Sequence, residues 1–242
     1  GQVWDADDSK GMQGLEQSVA FFQKYYGQAG GRYKAMLSPS QSDTVTPAVL
    51  KATAEIARRR DLPITTHASY TPNEVRWMLQ RYRKTPIELF DSVGLLGENV
   101  IIGHCLLLSG HSWVHYPCTD DVGLLARTGT SIAHAPIKYA AMGMIMESFS
   151  RLLKAGVNVT IATDFSPHDL LPQMRTAGLM SKVADGTYVS GTPREVFNAA
   201  TVGAAKALRR PDLGRLSAGA KADIAVFDLR KSKFGPIQDP IR

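Results

Sequence analysis

Gly156 to Asp169, GVNVTIATDFSPHD, is the stretch from which the fold is read. Val157, Val159 and Ile161 alternate with smaller or polar residues, and the β-branched density over residues 157–163 predicts a strand. The strand runs into Asp164, and a Ser-Pro turn and a new helix follow. A carboxylate at that junction sits where α/β proteins place their chemistry. Working backwards, three more apolar runs end in histidine: LPITTH at His67, NVIIGH at His104 and GTSIAH at His134. Successive ends lie 37, 30 and 30 residues apart, and roughly 30 residues make one βα unit. Four such units deliver three imidazoles and one carboxylate to a single rim of a parallel sheet, a constellation for metal or acid–base chemistry.

The 242 residues suffice for one α/β domain and little more, since a closed eightfold barrel takes about 250. Hydrophobic residues at 44% and charged residues at 21% describe an ordinary globular composition without a long disordered tract. No apolar run approaches the roughly 20 residues of a membrane span, and no basic segment followed by an apolar stretch marks the chain for export. Cys105 and Cys118 are the only cysteines, and no disulfide is expected, a usage that fits the cytoplasm. The net charge of +6 raises the question of nucleic acid, but the positive residues are scattered. Arg58, Arg59 and Arg60 end one helix, Arg76, Arg81, Arg83 and Lys84 surround another, and Arg230, Lys231 and Lys233 lie near the C-terminus. Without aromatic interleaving or a reading helix they describe solvated surface. The expected partner is a small molecule rather than nucleic acid or membrane, and the expected assembly is a homo-oligomer, a dimer.

The chain opens on a helix from Gly11 to Tyr26, with apolar residues at three- and four-residue steps. Tyr33 to Leu37 is expected to be a short strand, and Thr46-Pro47 starts a helix reaching about Arg60. After His67, Thr71 caps a helix that begins at Pro72, and a second runs from Pro86 to Val93. Residues 106–117 form a loop in which His111 and His115 read as surface residues. Asp120 to Thr128, Met144 to Ala155, Leu170 to Ala184 and Pro193 to Leu208 are the later helices, and Ile224 to Phe227 reads as a strand of a separate small β element. Five strand-to-helix units mean a parallel sheet with helices on its faces. Either the sheet is open and doubly wound, or the chain is the latter part of a barrel.

These residues resemble the amidohydrolase superfamily, in the branch of cytosine deaminase, guanine deaminase and the triazine hydrolases. LPITTH is similar to the family's fifth barrel strand, NVIIGHC to the sixth, SIAHAPIKY to its His-Cys-Pro-x-Ser-Asn stretch and VTIATD to the eighth. The most specific match is the segment from Thr192 to Leu229, which resembles the closing helix and the return to a small β-sandwich. The resemblance implies an α/β fold of the metal-dependent-hydrolase (β/α)8 TIM-barrel type, here strands four to eight. Residues 1–208 would then be a partial catalytic barrel and residues 209–242 part of the small β-sandwich.

The resemblance also implies one divalent metal, zinc or iron, held by an H-x-H on the first strand, a His on the fifth and an Asp on the eighth. His67 and Asp164 match the last two, and no H-x-H occurs in this sequence. With two of four ligands, the metal is expected to be absent or partly occupied in this chain. His104 matches the sixth-strand histidine beside the substrate, and His134 a pocket position without a fixed role. His168 would support Asp164 from one helical turn away. Deaminases of this branch carry Glu three residues after the fifth-strand histidine. Tyr70 stands there, and a phenol is a poor base at neutral pH. Glu74 is the nearest alternative carboxylate, although the helix entry at Pro72 is expected to point it away. Lys138 and Tyr139 replace the Ser-Asn, and a lysine at that rim can receive a substrate carboxylate.

The implied activity is hydrolysis of an amide or amidine C–N bond in a small, anionic substrate. Asp164 and His104 are the catalytic residues, His67 and Asp164 hold metal, and His134, Lys138 and Tyr70 line the substrate site. Two alternatives stand beside it: deamination of a nucleobase or triazine-like ring, and a catalytically silent barrel fragment serving as a binding or assembly module.

Overall fold

A computed structural model describes residues 7–114 and 120–228. Its centre is a four-stranded parallel sheet in sequential order: β1 Ile64–Ala68, β2 Val100–His104, β3 Ser131–His134 and β4 Asn158–Ile161. Each strand joins the next through helical connections, as parallel neighbours require. Helices Pro72–Tyr82 and Pro86–Ser92 lead from β1 to β2, Asp121–Thr128 from β2 to β3, and Phe149–Lys154 enters β4. Most start where a threonine, serine or aspartate accepts from the first-turn amides, as Thr71, Thr85, Asp120 and Ser148 do.

The core lies between sheet and helices. Ile64, Ile102, Ile132 and Val159 are inaccessible or nearly so, and they pack in one cluster with Leu50, Met78, Phe90, Leu125 and Phe149 from the flanking helices. No helix among the described residues is long and apolar enough to cross a membrane.

The expected strand at Tyr33–Leu37 is reduced to isolated bridges, Leu37 to Ile64 and Gln41 to His67, both parallel. Pro39 has no N–H to offer a ladder, and it lies between the two bridges where the pairing lapses. Helix Met144–Ala155 begins later than expected, at Phe149, because Ser148 caps it. Residues 221–228 hold no strand, so Ile224–Phe227 is corrected to irregular chain: alternation alone does not pair a backbone, and Ile224 and Val226 are exposed. The helix from Pro193 continues through a π-helical turn at Ala199–Gly203. His115, Cys118, Arg230, Lys231 and Lys233 lie outside the described residues.

Asp121 ties the loop after β2 to the helices beneath it. Its fully buried carboxylate accepts from Thr85 Oγ1 at 2.6 Å and from the Ser109 amide at 2.8 Å, while its own amide donates to Ser109 Oγ. Asp121→Ala removes an acceptor from two buried donors and leaves a void, a loss of about 2–4 kcal/mol in urea unfolding. Asp121→Asn, which keeps the shape and one acceptor, should cost less; equal effects would contradict this reading.

Candidate active site

The parallel register decides which residues meet. His67 sits opposite Gly103, Ala68 opposite His104, Gly103 opposite Ala133, and His134 opposite Ile161. All four strand ends therefore open on one rim, the C-terminal edge of the sheet. The backbone turns sharply there: Ser69, His104, Cys105 and Asp164 all have positive φ, between 47° and 78°. Non-glycine residues held in this region store strain and gather at functional sites.

His67 is the most firmly oriented. The Ser40 carbonyl accepts from its Nδ1 at 2.8 Å and from its backbone amide at 3.0 Å. A carbonyl can only accept, so Nδ1 carries a proton, and in the neutral tautomer this leaves Nε2 as the lone-pair atom, an arrangement suited to a metal-ligating imidazole. The ring lies in a cradle that exists because residue 103 is glycine: a Cβ there would stand 2.8 Å from His67 Cδ2. His104 stacks on it, the ring centroids 5.1 Å apart and the planes 23° from parallel. Burial, then the Lys138 ammonium, pushes the His104 pKa down to about 4. Near pH 7 this imidazole is neutral and carries one N–H.

Asp164 faces Lys138, whose Nζ lies 2.6 Å from Oδ2. Burial raises the Asp164 pKa, but the Lys138 hydrogen bond and charge, with His104 and His67 nearby, bring it below the usual carboxylate range. The carboxylate is ionised. The structure thus brings His67, His104, Lys138 and Asp164 together. Tyr70 lies alongside, its ring 5.9 Å from that of His104. Its hydroxyl accepts from Gln41 Nε2 at 2.9 Å and donates to Asp43 Oδ2 at 3.2 Å. Burial, then the Asp43 charge, moves its pKa further up. His134 is buried under this group with its pKa lowered to about 4 by burial and then by His104, and its Nδ1 has no hydrogen-bond partner.

Imidazole nitrogen and ionised carboxylate are the donor chemistry of a zinc or iron site, and the oriented His67 fits that group. The described residues nevertheless contain no cluster of three His, Cys, Asp or Glu able to hold a metal on its own. His67 and Asp164 are the two residues expected as ligands that the structure brings to this rim.

Two expectations shift. His111 is buried rather than on the surface, with its rim position set by contacts from its Nε2 to the Ile145 carbonyl and from the Trp113 amide to its Nδ1. His168 contacts the Thr163 hydroxyl at 3.1 Å. Glu74 is turned away from the imidazoles as expected, yet it is buried: it accepts from Ser42 Oγ and from the Ser69 and Tyr70 amides, closing the turn after β1. Sequence reasoning missed Ser40, Asp43 and Gly103. Only Gly103, immediately before a strand-end histidine, carried a local signal.

The sequence profile described as the Amidohydrolase family matches residues 3–241. The chain is 30% identical over 242 residues to a 5'-deoxyadenosine deaminase of Methanosarcina acetivorans, covering 98% of this chain and 53% of that protein. It is 33% identical over 214 residues to a 5-methylthioadenosine/S-adenosylhomocysteine deaminase of Thermococcus kodakarensis, covering 87% and 48%. Among solved structures, atrazine chlorohydrolase TrzN from Arthrobacter aurescens TC1 complexed with zinc superposes with a TM-score of 0.79 at 26% identity, over 94% of this chain and 49% of that one. A zinc-bound adenosine deaminase from Xanthomonas campestris reaches 0.83 at 23% identity, over 93% and 50%, a likeness of fold. The chain spans about half the length of the curated relatives it matches.

Two outcomes follow from the site. Gly103→Ala should push the His67 ring off the Ser40 carbonyl at a cost of about 1–3 kcal/mol, seen as loss of the downfield Nδ1–H proton signal in NMR. Retention of that signal would contradict the cradle. Burial raises the Glu74 pKa to about 7 against its hydrogen bonds, so the unfolded chain ionises this group at lower pH than the folded one. Its contribution to stability is therefore full below the ordinary glutamate value and is lost as pH rises through about 7. Between about pH 5 and about pH 8, urea midpoints should fall less for Glu74→Gln than for the unsubstituted chain; an equal fall would assign the pH dependence elsewhere.

Proposed function

The chain belongs to the amidohydrolase family, and from that membership we propose that the whole protein is a metal-dependent hydrolase cleaving an amide or amidine C–N bond of a small, anionic substrate. The observation that carries the reading is the meeting at one rim of an oriented His67, a neutral His104 and an ionised Asp164. His67, through Nε2, and Asp164 would hold the metal, zinc or iron. When bound, it supplies an acidified water as nucleophile and polarises the carbon to be attacked. Asp164 accepts the proton released by the attacking water and returns it to the leaving nitrogen. The single N–H of neutral His104 donates to the oxygen on which negative charge develops. Lys138 receives an anionic group of the substrate, and Tyr70 and His134 form the pocket wall. A cytoplasmic homodimer is the proposed setting.

The names of the relatives favour a second reading, deamination of a nucleobase or triazine-like ring. Tyr70 weighs against it: burial and the Asp43 carboxylate hold its phenol protonated, and ring protonation needs an acid whose pKa lies near the working pH. The third reading, a silent module, rests on the absence of a three-ligand cluster among the described residues.

The discriminating experiment assays the whole protein on amides and on aromatic amines. Asp164→Asn should lower amide hydrolysis by about 10²–10⁴, and Tyr70→Glu should raise turnover of the aromatic amine relative to the amide. Efficient deamination by the unsubstituted protein would overturn the preference, and loss-free Asp164→Asn would overturn the mechanism.

A further inference from the structure

Lys138 is a cation already inside the site. Its Nζ lies 2.6 Å from Asp164 Oδ2 and 5.5 Å from the Tyr139 ring centroid, and its field reaches His104. A divalent ion on Asp164 competes with this ammonium for the one carboxylate. Two cations on one carboxylate also repel each other across a few ångström. The lysine has somewhere to go, because its side chain and that of Asp164 are 35% and 27% exposed and its stem is long and flexible. Beside it, the Tyr139 hydroxyl and His104 Nδ1 are buried without a hydrogen-bond partner in the chain, a condition tolerated where a ligand completes the site.

We infer that Lys138 is a two-position cation. It pairs with Asp164 as seen here, leaves when that carboxylate ligates a divalent ion, and then receives the carboxylate of the substrate. The metal and a carboxylate-bearing ligand therefore favour each other's binding, because the metal frees the ammonium and the ligand keeps it from returning. Thermodynamic linkage makes the effect reciprocal. The inference rests on the metal-dependent reading above and narrows its substrate class to amides or amidines with a carboxylate within lysine reach of the scissile bond.

Zinc affinity, measured by competition with a chromophoric chelator on the whole protein, tests it without any assay of activity. Propionate serves as a carboxylate with no bond to hydrolyse. Lys138→Met should bind zinc roughly two- to fivefold more tightly, the worth of one partly exposed ion pair. Propionate should tighten zinc binding in the unsubstituted protein and leave Lys138→Met unchanged, and Lys138→Arg should keep both the weaker affinity and the coupling. Equal zinc affinity with and without Lys138, or equal coupling in Lys138→Met, would overturn this inference alone. Zinc bound by none of the three proteins would overturn the metal reading and the inference with it.

Discussion

Parallel register is the constraint from which the rest of this structure follows. A parallel ladder cannot be closed by a tight turn, so every strand must exit at the same edge before its helix carries the chain back. With β1 to β4 paired in order, residues that end their strands become neighbours although 30 or more positions separate them. The same constraint explains Ser40. The segment from Leu37 to Ser42 runs beside β1 and its carbonyl accepts from His67, so the short bridged strand that Pro39 interrupts orients the site.

Electrostatics then separates the titratable groups by role. His104 and His134 are buried and held neutral, Asp164 is held ionised, and Glu74 and Asp121 are buried carboxyls whose pKa values rise to about 7 and about 6 while their hydrogen bonds tie loops to helices. With the imidazoles of His104 and His134 neutral, Asp164 and Lys138 add one anion and one ammonium to a polar site. Removing either member of the Lys138–Asp164 pair changes that charge, and that couples this pair to whatever else binds there.

Much of this was legible in the amino-acid sequence because βα units impose a period, and apolar runs ending in His67, His104, His134 and Asp164 kept it. Helix starts were legible for the same local reason, through Thr46, Thr71 and Thr192 with proline behind them. What failed depended on contacts distant in sequence. A loop histidine reads alike whether exposed or buried, and His111 is buried by residues 145–147. Alternation at Ile224–Phe227 met the pattern of a strand, but a strand exists only where another pairs with it. The Lys138–Asp164 contact joins the short helix Pro136–Ala140 to the loop after β4, which no local pattern relates, although both residues had been singled out separately.

The central claim is that His67 and Asp164 are two ligands of one divalent metal. X-ray absorption at the zinc edge on the whole protein, compared with His67→Ala, tests it most directly. The account predicts a nitrogen scatterer at about 2.0–2.1 Å and a carboxylate oxygen at about 2.0–2.2 Å, with one nitrogen lost in His67→Ala. A coordination shell unchanged by that substitution would contradict it.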